Sequence, residues 1–189
     1  MCRILLENQG KACSFFGHRK IEINEELKQK VKDCIENLII NHNVSIFLFG
    51  SRSNFNNLCH LIVTGLKEKY PNIKRVAYTC KSESCVLEND RERLEQMYLR
   101  VRNEEVSLLG VEEEFEHKTK YISGRASYIE RNKAMINASE YCIFYYDENY
   151  KPEMRKRSKK DFSSYQPNSG TKIAYIYAKQ KNKIVINII

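Results

Sequence analysis

Two kinds of hydrophobic pattern alternate along the chain. Residues 44–49, Val-Ser-Ile-Phe-Leu-Phe, are almost continuously apolar, as a strand covered on both faces of a parallel sheet would be. Before them, Leu27, Val31, Cys34, Ile35, Leu38 and Ile39 recur at helical spacing, behind Asn24 as a cap and Glu25 and Glu26 in the first turn. After them, Phe55, Leu58, Cys59, Ile62, Val63 and Leu66 form a second helical stripe, closed by Pro71. The pattern also predicts strands at 12–16, 73–79, 141–146 and 183–189 and a helix over 122–139. Between 80 and 120 it weakens to a charged helix over 88–101, and Glu112-Glu113-Glu114 reads as a solvated face. Residues 1–10 read as an extension ahead of one domain spanning 11–189.

Strands alternating with helices predict a single Rossmann-like α/β domain: a mainly parallel central sheet with helices on both faces. In such sheets ligands bind outside the carboxyl ends of the strands. That rule gathers Gly17-His18-Arg19, Gly50-Ser51-Arg52, Asp147-Glu148 and Ser169-Gly170-Thr171 onto one edge. The last is the most telling, since a long polar loop runs into it and Ile173, Ala174, Tyr177 and Ala178 follow at helical spacing. Glycine lets a backbone approach an anion, and the first N–H groups of a helix point at it. Thr171 can cap that helix or donate to a phosphate.

Each candidate also has a plain structural reading. His18 suits a phosphate or a core edge, and Asp147 suits a ribose, Mg²⁺ or its own turn. Gly50 and Ser51 suit a phosphate or an ordinary turn, and Arg131 a ligand or an exposed ion pair. Tyr128, Tyr145 and Tyr146 suit a base or the core margin. His42, His60 and His117 read as structural or surface residues.

Composition narrows the classes. The chain has 189 residues, 42% apolar and 30% charged, which describes a folded domain with a full core. No run reaches the ~18 apolar residues of a membrane span, and the first ten residues lack a signal-peptide pattern, so the cytoplasm is the expected location. Seven cysteines without a Cys-x-x-Cys read as reduced thiols, and no metal site is expected. The net charge of +8 is concentrated in residues 151–160, where Lys151, Arg155, Lys156, Arg157, Lys159 and Lys160 face one Glu153. Such a loop solvates the surface or attracts a phosphorylated ligand or polyanion.

The order Phe16-Gly17-His18-Arg19, Phe49-Gly50-Ser51, Tyr128-Ile129-Glu130-Arg131-Asn132 with Met135-Ile136, Tyr145-Tyr146-Asp147-Glu148 and Ser169-Gly170-Thr171 resembles the SLOG superfamily. This Rossmann-like group includes the LOG nucleotide phosphoribohydrolases and the DNA-processing protein DprA, and the chain is most similar to its YpsA-like branch. The resemblance implies a nucleotide or nucleotide derivative held by Gly17, His18, Arg19, Gly50, Ser51, Arg131, Asn132, Asp147, Ser169, Gly170 and Thr171, and the sequence names no certain cofactor. It also implies a homodimer, with a lid or dimer contact in 80–120.

LOG enzymes carry an Arg-Lys pair and a Pro-Gly-Gly-x-Gly-Thr-x-x-Glu motif. Here Arg131 and Gly170-Thr171 match. Asn132 stands for the lysine, Ser169 for part of the glycine run and Ala174 for the glutamate that would assist glycosidic cleavage. Three readings follow: a nucleotide-binding sensor or carrier; a nucleotide-processing hydrolase using Glu130, Asp147 or Glu148; and a DprA-like binder of single-stranded DNA. The shortness of the basic cluster and the lack of an aromatic ladder in sequence count against the third.

Overall fold

The computed structural model describes residues 10–50, 53–80, 111–117, 125–151 and 169–189. Six strands form one sheet: β1 (Lys11–Gly17), β2 (Val44–Phe49), β3 (Lys74–Cys80), β4 (Glu113–His117), β5 (Tyr141–Tyr145) and β6 (Ile184–Asn187). Their order is β4-β3-β2-β1-β5-β6, and every neighbouring pair is parallel. Helices α1 (Glu25–His42), α2 (Asn54–Leu66), α3 (Arg125–Asn137) and α4 (Gly170–Gln180) complete the described elements. The expected Rossmann-like domain is therefore what the chain forms.

The inner strands bury both faces, which is why they read as continuous apolar runs. Cys13, Phe15, Val44, Phe47, Phe49 and Ile143 pack with α1 and α2, whereas Ala12, Phe16, Ile46, Leu48, Cys142 and Phe144 pack with α3 and α4. Each fully buried Phe or Ile contributes roughly 1.5–3 kcal/mol relative to exposure. Local chemistry sets the helix starts: Asn24 accepts from the Leu27 N–H at 2.8 Å, and the chain leaves α1 through Asn43 at φ 57°.

The weak pattern of 80–120 concealed β4, an edge strand whose sequence, Glu-Glu-Phe-Glu-His, has no apolar alternation. Its place is defined by pairing from Val76↔Glu113 to Cys80↔His117. Of the expected solvated face at 112–114, Glu112 is exposed, and Glu113 and Glu114 lie in this strand. Glu112 just ahead of it accepts from Arg75 at 2.7 Å and pairs with Lys67 at 3.1 Å. Burial alone would raise the Glu112 pKa, but these hydrogen bonds and charges hold it at about 2. The helix expected over 88–101 and the extension at 1–9 lie outside the described residues. Among the described residues, no helix is long and apolar enough to cross a membrane.

Candidate functional site

Strand order reverses at β1. The chain moves from β1 to β2, β3 and β4 on one side, then returns to β5 and β6 on the other. The crevice of such a sheet opens between the carboxyl ends of the two strands that flank the reversal, here β1 and β5. Three helix starts belong to the loops around it, and their chemistry differs.

The α1 start carries Glu22, Glu25 and Glu26, which complement the helix dipole and repel an anion. The α2 start is sealed. Ser53, Asn56 and Asn57 are buried, Ser53 Oγ accepts from the Asn56 N–H at 3.1 Å, and the Arg19 carbonyl accepts from the Asn54 N–H at 3.1 Å. The α4 start is open. Ser169 Oγ accepts from the Lys172 N–H at 3.1 Å, no acidic residue stands in the first turn, and among the described residues a Cβ on Gly170 would meet no atom within 4 Å. Helical geometry leaves the earliest N–H groups without partners in the helix.

Hydrogen bonds join four of the expected residues here. The Thr171 hydroxyl donates to the Gly17 carbonyl at 2.8 Å, pinning α4 to the end of β1. The Asp147 N–H donates to His18 Nε2 at 2.9 Å, closing the ends of β1 and β5 together. Nε2 also lies 3.2 Å from the Asp147 carbonyl oxygen, to which the other tautomer would donate. Nδ1 is buried and has no hydrogen-bond partner among the described residues, and His18 is only 2% exposed. Burial lowers the His18 pKa below its ordinary value, outweighing the opposite pull of Asp147, and favours the neutral ring. The Asp147 carboxylate is occupied locally: Oδ1 accepts from the Asn149 N–H at 2.8 Å, and the Asp147 carbonyl accepts from the Tyr150 N–H at 3.2 Å.

Gly50 and Arg131 form a second group at the ends of β2 and β3. A Cβ on Gly50 would sit 2.7 Å from the Tyr78 carbonyl, 2.9 Å from Met135 Sδ and 3.2 Å from Arg131 Nε. Arg131 is 3% exposed, with its guanidinium 5.2 Å from the Tyr128 ring centre. It is a buried arginine, not one on an exposed helix face. Asn132 beside it has a buried Oδ1 without a partner.

The structure thus brings Gly17, His18, Asp147, Ser169, Gly170 and Thr171 to the β1–β5 edge, and Gly50, Arg131 and Asn132 to the β2–β3 edge. Gly17 serves packing, since a Cβ there would sit 2.4 Å from Phe55 Cβ. The Arg19 side chain is exposed, while its carbonyl anchors α2. Ser51 and residues 152–160 of the basic segment lie outside the described residues. Of the other aromatic candidates, Tyr145 packs against Phe55 with ring centres 5.8 Å apart and belongs to the core margin. His60 is a buried core histidine set edge-on to Phe49 at 4.9 Å. Among the described residues, no three His, Cys, Asp or Glu side chains group as metal ligands would.

Sequence reasoning missed Tyr150. Its ring lies parallel to His18, with centres 3.8 Å apart and planes 16° from parallel. Tyr146 then links His18 to Tyr175, with centres 5.9 Å and 4.5 Å apart. The turn reading of Asp147 anticipated the bend, but nothing local revealed which ring the bend would carry. No protein-family model matches the chain, and no curated protein matches it.

Proposed function

We propose that this chain binds a nucleotide or nucleotide derivative at the β1–β5 edge, with a phosphate at the start of α4, and that its relatives are the YpsA-like proteins of the SLOG superfamily. The observation that carries the reading is the open, acid-free α4 start pinned by Thr171 to the strand where sheet order reverses. Backbone N–H groups and a positive dipole end suit a phosphate, and Lys172 in the same turn adds a full charge. The buried Nδ1 of His18 supports the reading, because an unpartnered buried polar atom costs ~1–3 kcal/mol unless something pairs with it.

A binding role is favoured over hydrolysis. Ala174, where LOG enzymes carry a glutamate, is packed with Phe16 and Phe144 in the core. The Asp147 carboxylate, one of the alternatives, already caps its own turn.

The test is a thermal-shift screen against nucleoside mono-, di- and triphosphates, cyclic nucleotides and ADP-ribose, on the wild type and on Gly170→Asp. A ligand specific for the folded state raises Tm by mass action. Aspartate suits a helix N-terminus and leaves the fold intact, while its carboxylate takes the place proposed for phosphate. A shift with one ligand class, lost in Gly170→Asp, is expected. No shift with any ligand, or an equal shift in the variant, removes the reading.

A further inference from the structure

We propose that Tyr150 is a stacking platform for an aromatic base on the ligand, an inference that rests on the nucleotide-binding reading above. The turn that follows β5 is built to hold this ring. Asp147 accepts from the Asn149 N–H with its carboxylate and from the Tyr150 N–H with its carbonyl. Its own N–H is fixed to the buried His18. Three hydrogen bonds through one residue therefore determine where the backbone of Tyr150 stands.

One face of the Tyr150 ring rests on His18 at 3.8 Å. Behind His18, Tyr146 and Tyr175 continue the packed rings, and Phe144 meets Tyr175 edge-on at 5.2 Å. Tyr150 itself is only half-buried. The ring thus lies against His18, which follows Gly17, the acceptor of the Thr171 hydroxyl, and its other face is the one assigned to the base. A planar base stacks on a π-face regardless of its identity, and a rigid ring loses little conformational freedom on binding. The same corner holds the buried Nδ1 of His18, which has no hydrogen-bond partner among the described residues and is open to pairing with a ligand.

The alternative is that Tyr150 merely covers His18. Covering needs any apolar side chain, whereas stacking needs an aromatic ring, and this difference defines the experiment. Affinities for AMP, GMP, CMP, UMP and ribose 5-phosphate are measured by calorimetry on the wild type, Tyr150→Leu and Tyr150→Phe. Tyrosine emission provides a second readout, since the chain has twelve tyrosines and no tryptophan. At least one nucleotide is expected to bind about tenfold or more tightly than ribose 5-phosphate. Tyr150→Leu should abolish that preference and leave ribose 5-phosphate binding unchanged, while Tyr150→Phe keeps it.

Equal wild-type affinity for nucleotides and ribose 5-phosphate overturns the platform and spares the phosphate site, whatever the variants do. A preference that survives Tyr150→Leu does the same. If neither nucleotides nor ribose 5-phosphate bind, the platform falls, and the phosphate site falls with it when the wider thermal-shift screen also gives no shift.

Discussion

Two helices begin after a glycine-bearing turn at the same edge of the sheet, and they use it in opposite ways. Around α2, Gly17 and Gly50 are squeezed: their missing Cβ atoms would collide with Phe55, with the Tyr78 carbonyl and with Met135. Its first turn is buried and hydrogen-bonded to Ser53 and Arg19. At α4, Gly170 faces open space and no acidic residue guards the helix end. Glycine at α2 is thus a consequence of close packing, and glycine at α4 leaves room. A Gly-Ser or Ser-Gly pair reads identically in both, so only the neighbours distinguish a packing glycine from one that a ligand can approach.

The contrast breaks first at its sealed end. Gly17→Ala puts a methyl group 2.4 Å from Phe55 Cβ, an atom too close to the α2 backbone to swing aside. A loss of about 3 kcal/mol is expected by urea denaturation. Gly50→Ala should follow at roughly 2 kcal/mol, because one of its obstacles is the flexible end of Met135. An unchanged midpoint in either variant would mean that the α2 corner is looser than drawn.

Acid probes the same seal. Burial, with the Arg75 charge adding to it, lowers the His60 pKa from 6.5 to about 4. Between those values the unfolded chain binds a proton that the folded one refuses, so stability falls as pH drops from about 6.5 towards 4. The full loss from this group is roughly 3 kcal/mol. His60→Phe should flatten that slope; a variant with the wild-type pH profile of unfolding would assign the slope elsewhere.

At α4 the expected effects are smaller. Thr171→Val removes the hydroxyl that meets the Gly17 carbonyl, at a cost of about 1–2 kcal/mol by the same denaturation measurement. Gly170→Ala fills open space in a helical residue and should leave stability unchanged or raise it by up to ~1 kcal/mol. Destabilisation beyond that range would show that Gly170 is packed after all, and the contrast between the two helices would collapse.

Much of the fold could be read without coordinates because the inner strands and the helical stripes each bury a regular set of positions. Asn24 as a cap, residues 44–49 as a strand and the stripe of α1 follow from that periodicity alone. β4 escaped because an edge strand with one phenylalanine has little apolar surface to place, and its backbone pairing leaves no mark on residue type. The site was legible as a set of loops and much less as a set of roles. Thr171, Asp147 and Gly17 were picked out for a ligand, yet each is engaged in holding the protein together. Tyr150 passed unnoticed, because its position depends on a histidine more than a hundred residues earlier in the chain.

By itself, the sequence determined the alternation of strands and helices, the two-sided burial of the sheet and the edge at which its loops collect. These depend on hydrophobic period and on connection rules, both of which are local or topological. Only the tertiary structure decided which helix start is open, which histidine nitrogen lacks a partner and which ring stands over it. Those are matters of contact between residues far apart in the chain, and a contact is a property of two surfaces that neither segment carries alone.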